Sequence, residues 1–214
     1  LVHADQHAMT FRPGNANQSV FGNDGGVFYA SDLASAQNSN VIPSRNTGFN
    51  VTQFYSLGVA PTTAMTGDNF VAGAQDNGSQ MFLNAPAGTS ASAQVQGGDG
   101  AYSMFDQDGT DKYRITNYVY NNTINLYNYA NAQTRSINSE NPGGNGAFIA
   151  PMELDSNLDI LYSDYSNGTT YQIRRYTNLK SGVVGKAILT NALLTAPATA
   201  LKVSPYTTTS TKLF

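Results

Sequence analysis

The sequence contains no cysteine. Disulfides, thiolate metal sites and cysteine nucleophiles are therefore excluded. Secreted eukaryotic modules of this size often carry disulfides, so the absence leans towards a bacterial source. Tryptophan is also absent. Charge is scarce: Asp, Glu, Lys and Arg make up 12% of the 214 residues, with a net charge of -3. Such a chain is not built to neutralise phosphates, so nucleic acid is not an expected partner. No apolar run approaches the length needed to span a bilayer, so membrane insertion is not expected. There is no Gly-rich phosphate loop opening a helix and no serine nucleophile elbow. No signal peptide is recognisable, and the chain starts at Leu1 inside an apparent strand.

Asn, Gly, Thr and Tyr are abundant instead, which favours strands and turns over long helices. In Phe21-Gly22-Asn23-Asp24-Gly25-Gly26-Val27-Phe28-Tyr29-Ala30, two apolar runs flank Asn-Asp-Gly-Gly. This reads as a hairpin, because the tight turn needs residues that tolerate positive φ. Gln75-Asp76-Asn77-Gly78 repeats the device, and Tyr120-Asn121-Asn122-Thr123 and Tyr165-Ser166-Asn167-Gly168 carry weaker versions. The first strand of each unit ends at Pro13, Pro61, Gln107, Asp155 and Pro205, at intervals of 48, 46, 48 and 50. That period, with three or four strands in each and no helices, matches a β-propeller blade.

The expected fold is thus all-β: four-stranded antiparallel blades over 1–50, 51–96, 97–145 and 146–197, with an incomplete fifth at 198–214. Residues 1–214 form one partial propeller, a section of a larger ring. Within it, a strand is expected around Asn40 to Ile42, and the low-complexity stretch 85–94 reads as a loop. Gln133 to Ile137 is a fourth strand closed by Asn141-Pro142-Gly143-Gly144, and residues 186–194 read equally as a helical turn or a strand. A cut ring exposes apolar blade faces, so homodimerisation through them is expected.

Several elements together resemble one known group. They are Val2-His3-Ala4-Asp5-Gln6-His7-Ala8, Gly22-Asn23-Asp24-Gly25-Gly26-Val27, Gln53-Phe54-Tyr55, Gly73-Ala74-Gln75-Asp76-Asn77-Gly78 and Gly97-Gly98-Asp99-Gly100. Their order and spacing over residues 2–120 resemble the sialidase-like Asp-box (BNR) propellers of secreted bacterial proteins, often labelled glycosyl hydrolases. The Asp-box itself, Ser-x-Asp-x-Gly-x-x-Trp, is degenerate, with Ser31-Asp32 as its remnant. The resemblance implies a secreted or cell-surface bacterial propeller that binds glycan or protein without catalysis, or alternatively a glycoside hydrolase. No local motif maps the catalytic carboxylates of the enzymes onto this chain.

Three sets of residues carry candidate chemistry. His3, Asp5 and His7 alternate, and on one strand face they suit a divalent cation such as zinc or calcium; the plainer reading is packing between first strands. Asp24, Asp76 and Asp99 sit in Gly-flanked turns. As a ring at a channel mouth they are the catalytic candidates, with Asn23, Gln75 and Asn77 as ligand-binding candidates. The plainer reading is turn chemistry, because Asp and Asn bond their own backbone there. Asp106-Gln107-Asp108-Gly109-Thr110-Asp111 resembles a calcium loop but lacks the EF-hand spacing, so it also reads as a surface turn. Tyr113, Tyr118, Tyr120, Tyr127 and Tyr129 either stack on sugars or fill the core.

Overall fold

The computed structural model describes residues 2–37, 41–49, 51–140, 145–206 and 208–214. The chain divides into two compact units, Leu1–Thr52 and Gln53–Phe214.

In the first unit, β1 (Gln6–Arg12), β2 (Asn15–Asn23) and β3 (Gly26–Ala30) form an antiparallel meander. The Asn23–Gly26 turn closes the second hairpin, with Asn23 paired opposite Gly26. A short 3-10 turn, Leu33–Ser35, follows. Asp32 caps it by accepting from the Ala34 N–H (3.2 Å) and the Ser35 hydroxyl (2.6 Å). The Ser35 bond first, then one donated by the Asn17 side chain and that from Ala34, hold the Asp32 carboxyl below its usual range. The expected fourth strand of this sheet is reduced to a single bridge, Phe28 with Ser44, supported by bonds from Tyr29 N–H to Pro43 O and from Arg45 N–H to Val27 O. Pro43 has no N–H to extend the ladder. The strand expected at Asn40 to Ile42 falls partly on Asn40, outside the described residues.

The second unit holds three four-stranded antiparallel meanders. They are β4 (Ser56–Val59) to β7 (Ala93–Gln96), β8 (Gly100–Phe105) to β11 (Gln133–Ser139), and β12 (Met152–Asp155) to β15 (Gly185–Leu189). Their middle strands are β5 (Phe70–Ala74) and β6 (Gly78–Phe82), β9 (Tyr113–Tyr118) and β10 (Thr123–Asn128), and β13 (Ile160–Asp164) and β14 (Ile173–Thr177). The order within every sheet is sequential. The first strands β4, β8 and β12 line one cleft, the geometry of blades set around an axis. The three sheets of the second unit are thus successive blades of a β-propeller fragment, and the meander of the first unit has the same all-β, sequential strand order. Ala200–Pro205 and the last residues add a piece of a fifth blade: Val203 bridges Leu213, and Lys202 and Phe214 exchange backbone bonds.

Alternation along the strands explains the packing. In β13, Leu161 faces one side and Tyr162 the other. Leu161 joins Ile115, Ile124, Leu126, Met152 and Tyr176 between the third and fourth sheets. Tyr162 joins Ile173 and Val203 on the outer face. Between the second and third sheets the backbones come much closer. A Cβ at Gly73 would lie 1.8 Å from Ala101 O, and one at Gly58 would lie 2.5 Å from Met104 Cα. Ser56 Oγ completes this contact, donating to Ala101 O (3.0 Å) and accepting from Ser103 N–H (2.7 Å).

The strand alternative holds for part of 186–194, and the end of the 85–94 loop changes. Residues 186–189 belong to strand β15, and 190–194 are coil and turn with no helix. The low-complexity stretch is mostly loop, but it feeds directly into β7, an edge strand that starts at Ala93. The Asn141–Gly144 stop after β11 lies outside the described residues.

Candidate functional site

Meander topology sorts the loops of the second unit onto two ends. The β5–β6, β9–β10 and β13–β14 turns share one end with the connections that lead into β8 and β12. The β4–β5, β8–β9 and β12–β13 turns occupy the other.

The first end gathers the candidates expected near Gln75. Asp99 Oδ1 accepts the Asp76 backbone N–H (3.1 Å), and Asp99 Oδ2 accepts from the Tyr118 hydroxyl (3.3 Å). Burial, the Asp99 charge and this bond push the Tyr118 phenol up from its usual value. Gln75 Oε1 accepts from the Tyr55 hydroxyl (2.7 Å), and the Asn77 side chain donates to Gln75 O (3.1 Å). Asp76 takes positive φ (59°) at the turn, so part of its role is conformational.

The β9–β10 turn at this end is strained. Tyr120 and Asn121 both take left-handed backbone angles, φ 56° and 54°. A tyrosine there is rare, because its Cβ crowds the carbonyl. Asn121 holds the turn and is fully buried. Its side chain donates to Asp164 O (2.7 Å) and Asn145 O (3.0 Å) and accepts from Asn117 (3.1 Å). Asn138 donates to Asn121 O (2.7 Å), and Tyr120 N–H donates to Phe148 O (3.0 Å). The outcome is a Tyr120 residue 42% exposed, its ring packed edge-on against Phe148 at 5.4 Å between centroids. Of the five tyrosines noted in the sequence, Tyr113 is buried in the core and Tyr120 is the one most open to solvent.

At the other end, β4, β8 and β12 terminate around a cleft of about 370 Å³ lined by Leu57, Val59, Gln107, Glu153, Ser156 and Lys202. Lys202 pairs with Glu153 at 2.6 Å. Beside it lies the β8–β9 turn. Asp108 accepts from the Thr110 N–H (2.7 Å) and hydroxyl (2.8 Å). The facing Asp106 carboxyl, and after it these bonds, outweigh its desolvation and hold it below the usual carboxylate value. Asp106 is 2% exposed, and neither of its oxygens completes a hydrogen bond. Burial, with the Asp108 carboxylate facing it, pushes Asp106 up to about 7. The nearby Ser156 hydroxyl softens that shift without reaching bonding geometry. A second depression, of about 460 Å³, lies under loop 85–90 beside Asp68 and Phe70.

The first unit holds the remaining candidates. His7 is in β1 and pairs with Asp24 through Nε2 and Oδ1. Asp5 precedes the strand with φ 54°, and His3 lies over the hairpin turn, where a Cβ at Gly25 would come within 2.5 Å of it. The left-handed Asp5 breaks the alternation expected for residues 3–7, so the three side chains do not share one strand face. Asn23 Oδ1 accepts the Gly25 N–H at 2.9 Å, an Asx turn.

Phe148 and the cleft residues Glu153, Ser156 and Lys202 were not singled out by sequence. A Tyr-Asn-Asn step between two strands was the available signal for Tyr120, since Asn tolerates left-handed angles.

Blades and turn surface together define a β-propeller whose loop ends carry aromatic and amide groups. No family model matches the chain, and no curated protein matches it. Among solved structures, it is similar to the WD40 repeats of RRP9, at 6% identity and TM-score 0.44, over 88% of this chain and 52% of that one. It is similar to U3-55K at 6% identity and TM-score 0.43, over 88% and 53%. It is similar to an auxiliary nutrient binding protein from Bacteroides thetaiotaomicron VPI-5482 at 10% identity and TM-score 0.43, over 87% and 42%. The chain spans about half the length of these structures. Likeness of this degree carries no functional argument.

Proposed function

We propose that the chain is a non-catalytic propeller module that binds glycan through the β9–β10 turn end, within a larger secreted or surface protein of a bacterium. Tyr120 carries the reading. Strained residues cluster at ligand sites, and here a buried amide clamp is used to stand one aromatic ring out of the surface. A sugar ring stacks on such a face, and the Gln75, Asn77 and Asp99 side chains at the same end offer polar groups for its hydroxyls. A protein ligand on this end is the other form of the proposal. The lack of cysteine supports the bacterial source, and the Asp-box resemblance supports the secreted setting. The degenerate box fits as well, since Asp32 caps a 3-10 turn. Among the described residues no helix is long and apolar enough to cross a membrane.

One observation favours the glycoside hydrolase alternative. Asp76 and Asp99 stand at one end of one unit, joined through the Asp76 N–H. Paired carboxylates are the machinery of that reaction. Asp24 belongs to the first unit.

An oligosaccharide array combined with a reducing-sugar assay tests both. The module reading expects binding without turnover, weakened roughly two- to tenfold by Tyr120→Ala, in line with about 0.5–1.5 kcal/mol for a lost aromatic contact. Turnover abolished by Asp76→Asn or Asp99→Asn replaces it with the enzyme reading.

A further inference from the structure

We infer that Asp106 and Asp108, at the β8–β9 turn, hold a hard divalent cation, calcium foremost. The argument starts from Asp106. It is buried, and both its oxygens lack a donor. A carboxylate removed from water without donors or a counter-charge is among the costliest arrangements in a protein. The fourth blade shows how the same position is ordinarily satisfied. Asp155, also at the end of a first strand and 2% exposed, accepts from Leu158 N–H (3.2 Å) and the Thr211 hydroxyl (2.6 Å).

The β8–β9 turn is two residues longer than the β12–β13 turn when measured from Phe105 and Leu154. Asp108 has taken over its capping, through Thr110 and Asp111 N–H. Asp106 is left facing Asp108 instead of a donor. Among the described residues no side-chain cation pairs with either carboxylate, and Lys180 is committed to Asp111 and to Asp159 (2.7 Å). Lys180 thus leaves Asp106 and Asp108 without an ion pair among the described residues.

The donor set is all oxygen, with the Ser156 hydroxyl as a neutral third member beside two carboxylates. That chemistry suits calcium over zinc. Asp108 is only partly buried, so water can complete the shell and the ion has a way in.

The test uses the whole chain, stripped with a chelator and dialysed. Calcium is titrated by calorimetry, and terbium by luminescence sensitised through Tyr113, whose hydroxyl bonds Asp159 at 2.8 Å. One ion per chain is expected, with a rise in Tm, and at least about tenfold weaker binding in Asp106→Asn. Asp108→Asn keeps the oxygen that caps the turn, so it remains informative if Asp106→Asn does not fold, and the same loss is expected. Asp68→Asn, an acidic site elsewhere, should bind like the parent. The inference is overturned if the parent takes up no stoichiometric calcium or terbium. It is equally overturned if Asp108→Asn binds as well as the parent, or if Asp106→Asn folds and binds as well. No binding together with a more stable Asp106→Asn would mean that the two carboxyls share a proton instead.

Discussion

Tyr120 is held where its own backbone preference opposes it. A bulky residue at φ 56° costs roughly 1–3 kcal/mol, which the surrounding bonds must offset. Asn121 supplies them through four partners that are themselves buried or backbone: Asp164 O, Asn145 O, Asn117 and Asn138. Glycine at 120 would adopt the same angles without strain. Tyr120→Gly is therefore expected to unfold at the same urea midpoint as the parent or a higher one, by up to about 1 kcal/mol. It should also lose glycan binding on the array. A large fall in stability would show that the ring is a packing element against Phe148, not a presented one. The sequence shows five tyrosines in this region and cannot rank them. What separates Tyr120 from Tyr113 is a dihedral angle and a turn geometry that depend on the nearby residue 117 and on residues 138, 145 and 164, farther along the chain. The Asp106–Asp111 loop was visible as either a calcium loop or a surface turn, and the sequence could not choose for a similar reason. The want of a donor at Asp106 shows only when Asp108 is seen to cap the turn and Lys180 to bond elsewhere.

At the scale of elements, hairpins were the most legible features. Asn-Asp-Gly-Gly and Gln-Asp-Asn-Gly act locally, and both form where their residues dictate. Elements whose existence depends on a neighbour were not legible. β7 is a polar edge strand beside an Ala/Ser/Gly stretch, defined by pairing to β6. The fourth strand of the first sheet is broken by Pro43. The junction between the third and fourth blades also joins distant elements. Glu140, just past β11, receives the Tyr165 hydroxyl at 2.5 Å and the Arg174 guanidinium, which stacks 3.7 Å from the Tyr165 ring centroid. Desolvation raises the Glu140 carboxyl, but the bonds from Tyr165 and Arg174 outweigh it, and the net value falls below the usual 4.5. A carboxylate depressed in the folded state stabilises it fully above the unfolded value. That contribution is lost as pH falls below about 4.5 and through the folded value. Urea midpoints measured at pH 7 and between pH 4.5 and 3 should fall for the parent, and by a smaller margin for Glu140→Gln. Equal losses in both proteins would assign the acid sensitivity to other carboxylates.

At the scale of the molecule, burial is unequal between the two units. The three apolar clusters of the described residues all lie within Gln53–Phe214. In the first unit the buried apolar residues among those described are Phe28 and Ala30, and all seven residues of β1 are exposed, with Met9 at 53% and Phe11 at 47%. At about 25 cal/mol per Å² of apolar surface, a sheet with one buried face and little behind it gains too little to protect its own ladder strongly. Native-state hydrogen exchange at low protein concentration should therefore show β1 and β2 exchanging by local opening. Amides of β9, β10 and β13 should open only with global unfolding. The proposal that a second copy covers the apolar blade faces makes a further claim on the same measurement. Protection of β1 should rise with protein concentration, because association adds mass-action stability to whatever it covers. Concentration-independent exchange in β1 would remove that face from any dimer. Protection of β1 equal to that of β10 at the lowest concentration would mean that the first unit shares the cooperative unfolding of the second.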